Sequence, residues 1–190
     1  VSARALALLA LLAPLAPLAG CAPSLLGAGA RAAAAEGLAR RGEALLAPAD
    51  APGAPGGDPV GLARALYDAD PALAHRLRGA LRVEDLRGAG VRRGGRPQVG
   101  DLLVFRPLPE TLEVAVVIAA RGARLRAVGL LRGAPREVVV DLDAPAVRRD
   151  GAEVRNTYIR KAHPSPAAGA DAAECPCLAG ELLVDVRALF

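Results

Sequence analysis

The apolar positions change rhythm near residue 90, from helical spacing to strand spacing. From Ala30 to Leu46, Leu38, Leu45 and Leu46 recur among alanines, with Arg31, Arg40 and Arg41 set outward, and this spacing predicts a helix. Ala47 to Gly57 is a Pro/Gly run that breaks it. Asp58-Pro59 then reads as a helix start. Aspartate caps the first turn with its carboxylate, and proline gives up an N–H that has no helical partner there. Leu62, Ala65 and Leu66 supply an apolar stripe, and the helix is expected to end near Asp70-Pro71. Two further helices are expected, over Pro71–Leu81 and Val83–Gly88. Beyond Val91 the texture is that of strands. Gly94-Gly95-Arg96-Pro97 is a turn. Gly100–Phe105, Leu112–Ala120, Arg124–Leu131 and Glu137–Leu142 read as four successive strands joined by short turns. Such a series predicts an antiparallel meander, and helices followed by strands predict an α+β fold. Near the end, Val154–Arg160 lies between loops, and Leu178–Leu183 reads equally as helix or strand. There is no internal repeat.

The first 20 residues carry a different pattern. Arg4 precedes an apolar run from Ala5 to Leu18, interrupted by Pro14 and Pro17. That run falls short of the ~20 apolar residues a spanning helix needs, and reads as a secretory signal. It ends in Leu18-Ala19-Gly20-Cys21, which resembles the bacterial lipobox. The resemblance implies that residues 1–20 are a lipoprotein signal peptide and that Cys21 is the lipid attachment site. Two or three acyl chains hold a protein stably on a membrane, where one is marginal. Residues 21–29 are then a tether and residues 30–190 a single domain. Ala22, rather than an aspartate, follows the cysteine, so the expected location is the cell envelope, at the outer membrane and facing the periplasm.

Composition narrows the picture further. Only 2% of the 190 residues are aromatic, and methionine and tryptophan are absent, so the core must be built from Leu, Val and Ala. The net charge is +4, with the densest arginine groups at Arg92-Arg93 with Arg96 and at Arg148-Arg149. Few stacking residues and no recognition module argue against nucleic acid as a partner. A mildly basic surface suits anionic lipid or cell-wall polymer.

Three stretches, in order, resemble one family. Asp58-Pro59-Val60-Gly61-Leu62-Ala63 is similar to the Asp-Cys-Ser-Gly-Phe/Leu-Val nucleophile motif of the NlpC/P60 and CHAP cysteine peptidases and amidases of bacterial cell walls. Val99-Gly100-Asp101-Leu102-Leu103-Val104-Phe105 is similar to that family's Pro-Gly-Asp-Leu-Val-Phe-Phe. Glu113-Val114-Ala115-Val116 is similar to its His-Val-Gly-Ile strand. In the tail, Asn156-Thr157-Tyr158-Ile159-Arg160 and Leu178-Ala179-Gly180-Glu181-Leu182 resemble a C-terminal extension found in some such envelope proteins. The resemblance implies a papain-like NlpC/P60 fold, with N-terminal helices on a small antiparallel sheet. Peptidoglycan or an envelope protein is the implied partner, alongside the membrane reached through the lipid.

The chemistry of the active family needs a thiolate at a helix start, a histidine to take its proton and a polar residue to orient the histidine. Aligned on the motifs, those positions fall on Pro59, Glu113 and Val128. Proline has no nucleophile, and valine orients nothing. The expectation is therefore a non-catalytic domain that binds or scaffolds. Two alternatives stand beside it. One is a hydrolase whose nucleophile has moved to Cys175 or Cys177. The other is a lipoprotein of an unrelated α+β fold. Cys175, Cys177, His163 and His75 match no standard zinc spacing, so no metal is expected, and no cofactor motif is present. The carboxylate pairs Asp68/Asp70, Glu84/Asp85 and Asp141/Asp143 read as solvated faces and caps. By the resemblance, Asp101 fixes the turn before its strand. Asn156 is of the type that bonds its own backbone in a turn.

Overall fold

A computed structural model describes residues 27–47, 58–159 and 177–190. Helix α1 spans Ala28–Leu46, two residues longer at its start than the spacing predicts. Helix α2, Pro59–Tyr67, begins where expected, with Asp58 as its cap. Helices α3, Pro71–Leu77, and α4, Val83–Ala89, follow. The expected extension of α3 to Leu81 does not occur: the chain turns at Arg78 and Gly79, and Leu81 is left exposed.

Six strands form one antiparallel sheet in the order β1-β8-β2-β3-β4-β5. They are β1 (Val91–Arg92), β2 (Asp101–Leu108), β3 (Thr111–Arg121), β4 (Arg124–Leu131), β5 (Ala134–Asp141) and β8 (Leu183–Ala188). Strands β2 to β5 are the expected meander. β5 starts three residues before the expected Glu137, because Arg132 and Gly133, both at positive φ, close a tight hairpin directly after β4. A second, two-stranded ribbon pairs β6 (Arg149–Asp150) with β7 (Glu153–Val154). The C-terminal stretch proves to be helix and strand in succession, a single turn α5 (Ala179–Leu182) running straight into β8.

The sheet is buried on both faces, as the unbroken burial of Val114–Ile118 shows. One face carries Leu102, Val104, Val114, Val116, Ile118 and Val128, covered by α1, α2 and α4. The other carries Leu103, Phe105, Ala115, Val117 and Val138, covered in part by Ala179 and Leu182 of α5. Helix α1 comes so close that a Cβ at Gly42 would lie 2.3 Å from Ile118 Cγ2 and 3.2 Å from Val128 Cγ2. Its Arg41 does not point outward as expected but is half-buried and donates from Nε to the Leu66 carbonyl, 2.8 Å away, at the end of α2. Across the sheet head, the buried Tyr67 hydroxyl donates to Gly100 O at 2.8 Å. Burial, and then the nearby Asp101, push its pKa well up, so the phenol stays a donor.

Candidate functional site

The start of α2 is the position the motifs single out. Asp58 is extended, and its carboxylate accepts from Val60 N and Gly61 N, both at 3.0 Å. Leu62 N donates to Asp58 O at 3.0 Å, and Pro59 has no N–H. Every amide of the first turn is thereby satisfied from within the chain. A helix start attracts an anion through donors left over, and here the anion is the chain's own carboxylate.

The other two aligned positions go to opposite sides of the sheet. Val128 is fully buried in the helix-side core, paired across the ladder with Val116 and lying beneath α1. Glu113 pairs with Phe105, and residues two apart on a strand share a face. It therefore stands with Phe105 and Ala115 on the face away from α2. The sheet separates Glu113 from Pro59. Glu113 is half-buried, and burial raises its carboxyl pKa above the ordinary value. Cys177 is half-buried at the N-terminal flank of α5. Its N–H donates to Glu181 Oε2 at 3.2 Å and its carbonyl accepts from Ile159 N at 3.0 Å. Cys21, His163 and Cys175 lie outside the described residues. Among the described residues no group of His, Cys, Asp or Glu is placed to hold a metal ion, and no helix is long and apolar enough to cross a membrane.

Three buried aspartates are each gripped by arginine, and it is these arginine partners that the sequence did not disclose. Asp101 accepts from Arg93 Nε and Nη2 at 2.8 and 2.5 Å and from Gln98 N at 2.8 Å, which fixes the turn into β2 as expected. Asp141 is 2% exposed, not on a solvated face, and accepts from Arg155 Nη1 at 2.9 Å. Asp185 accepts from Arg87 Nε at 2.7 Å and Arg187 Nε at 2.9 Å. Burial opposes ionisation of Asp185, but the bonds from Arg87 and Arg187 outweigh it and hold the carboxyl below its ordinary pKa.

The two tail motifs, which start 22 residues apart, meet. Tyr158 bridges to Leu178, and Ala179 N donates to Thr157 O at 2.9 Å. Asn156 is fully buried and does not bond its own turn, contrary to expectation. Its Oδ1 accepts from Asp141 N at 3.0 Å, and its Nδ2 donates to Ala144 O and Val147 O, both at 2.8 Å. A Cβ at Gly180 would lie 2.5 Å from Pro145 Cα, so only glycine fits against this junction.

Two surface cavities stand out among the described residues. A groove of about 650 Å³ runs between the end of α1 and the β4–β5 hairpin, and Arg126 crosses it to pair with Glu43 and Glu137. A second, of about 270 Å³, is lined by Arg92 of β1, by Val184 and Asp185 of β8, and by Pro97 and Leu142. No protein-family model, no curated protein and no solved structure matches the chain.

Proposed function

We propose that this chain is a lipid-anchored cell-envelope protein whose α+β domain is a non-catalytic member of the NlpC/P60 and CHAP type, serving to bind or scaffold rather than to cleave. The observation that carries the reading is the self-satisfied start of α2: Asp58 occupies the anion position, and Pro59 stands where the family keeps its thiol. Support for the family comes from an Asp-opened helix lying on an antiparallel sheet whose β2 begins Gly100-Asp101-Leu102, and from the meeting of the Asn156 and Leu178 motifs. Anchoring at the outer membrane through Cys21 belongs to the same proposal, with peptidoglycan or an envelope protein as the partner.

The test is turnover. Purified protein incubated with peptidoglycan fragments is expected to release no new amino or carboxyl termini. Amide hydrolysis overturns the reading. Its loss in Cys175→Ala/Cys177→Ala would assign it to a relocated thiol, and its survival there would place it elsewhere. Separately, Cys21→Ala is expected to lose acyl labelling, and unchanged labelling would refute the anchor.

A further inference from the structure

We propose that residues 155–159 are a built-in block on the outer edge of β5, which keeps that edge from adding a strand from a second copy of this chain. β5 ends the sheet, and its pairing with β4 runs without a shift from Ala134 to Asp141. In an antiparallel ladder the backbone N–H and C=O groups of every second residue turn to the same side. Leu142 N donates to Ala123 O at 3.1 Å, on the β4 side, so the even positions of β5 point inward. The odd positions, 135, 137, 139 and 141, point outward. Three consecutive valines, Val138 to Val140, lie on this terminal strand. Identical segments of such high β-propensity are templates for one another wherever their edge is left bare.

Here the chain's own tail takes the edge. Val139 N donates to Thr157 Oγ1 at 2.9 Å, and Val139 O accepts from Thr157 N at 3.0 Å. Asp141 N donates to Asn156 Oδ1 at 3.0 Å. Position 135 is the one proline of β5, and it has no N–H to offer. The N–H side of the edge is therefore closed at 135, 139 and 141. Two of the acceptors are side chains, which satisfy an edge N–H without carrying the ladder further. The tail's own backbone is passed on: Thr157 O accepts from Ala179 N at 2.9 Å, and Ile159 N donates to Cys177 O at 3.0 Å. Beyond them Glu181 Oε2 accepts from Cys177 N and Leu178 N, at 3.2 and 3.1 Å, and the chain coils into α5. The strap is held down at its start. Arg155 Nη1 donates to Asp141 Oδ2 at 2.9 Å, and the buried Asn156 donates to Ala144 O and Val147 O. Thr157, Asn156 and Glu181 thus end the ladder in turn.

The block is independent of the non-catalytic reading, and its test bears on the edge alone. Amide exchange at Val139 and Asp141 is expected to be slow in wild type. Thr157→Val keeps the side-chain shape and loses Oγ1. It is expected to speed exchange at Val139 at least tenfold, while Val138 and Val140, bonded toward β4, exchange as before. Unchanged exchange at Val139 overturns the block. Self-association is read by sedimentation equilibrium of the full chain in density-matched detergent. Wild type is expected to stay monomeric at about 1 mM, the weak end of specific association. Thr157→Pro, which loses both bonds to Val139, is expected to associate at concentrations at least tenfold lower. Adding Glu137→Pro, which removes another outward N–H, is expected to restore the monomer. A folded Thr157→Pro protein that stays monomeric while Val139 exchanges freely overturns the block. So does association that Glu137→Pro leaves unchanged, or wild-type association that Glu137→Pro abolishes. If Thr157→Pro loses its cooperative urea transition, Thr157→Val decides by the same criterion: a freely exchanging Val139 without association overturns the proposal.

Discussion

At the residue scale, Asn156 uses three hydrogen bonds to join β5 to the loop at Ala144–Val147. Asn156→Ala leaves the buried Asp141 N without its acceptor, while Ala144 O and Val147 O, in a more exposed loop, are left to water. At about 1–3 kcal/mol for one buried unsatisfied group, a loss of about that size is expected, read as a lower urea midpoint. Two carboxyls give opposite pH signatures. Asp185 has a depressed folded pKa, so its stabilisation is complete above the unfolded value of about 3.9 and is lost as pH falls through the lower folded value. Asp185→Asn should therefore lower Tm at pH 7, with the gap to wild type closing below about pH 4. Glu113 has a raised folded pKa from burial, so its ionised form weighs against folding at neutral pH and the penalty fades as pH falls toward the unfolded value. Glu113→Gln should raise Tm at pH 7 and make no difference below about pH 4. The reverse order of these two variants would show that their environments are misread.

At the scale of elements, the start of α2 and the parity of β3 decide the chemistry together. Asp58→Ala removes the acceptor for two first-turn amides, and a cost of about 1 kcal/mol is expected. Installing the residue types of the proposed family is a sharper test. Pro59→Cys with Glu113→His is expected to yield no amidase activity, since the sheet stands between the two side chains. Turnover by that double variant would mean that Glu113 faces α2. The motif match set Glu113 against the family's histidine without regard to face, because residue identity along a strand carries no record of which face is which. One step of register moves every side chain to the other side.

For the molecule as a whole, the sheet is completed by its last strand. β8 sits between β1 and β2, so removing residues 183–190 exposes the β2 edge and deletes Leu189 and Phe190, the latter ring packing against Gly100. That truncation is expected to abolish cooperative unfolding, checked by urea denaturation and limited proteolysis. The α+β class, the α2 start, the four strands of the meander and the aliphatic core were legible in the sequence, because caps, turns and hydrophobic period act between near neighbours. Asp185 illustrates what was not. Val184-Asp185-Val186-Arg187 alternates as a strand does, yet its charged residues turn toward the helix side, where Arg87, 98 positions earlier, meets the carboxylate. Partners so far apart leave no periodic trace. The same holds for Asn156 and for the close approach at Gly42. The sequence by itself determined the order of the helices and the meander strands and the start of α2 at Asp58-Pro59, since those choices are made by local backbone energetics. Only the tertiary structure decided that Pro59 and Glu113 lie on opposite faces and that Arg87 meets the buried Asp185. Those depend on register and on contacts between distant residues, which local energetics does not encode.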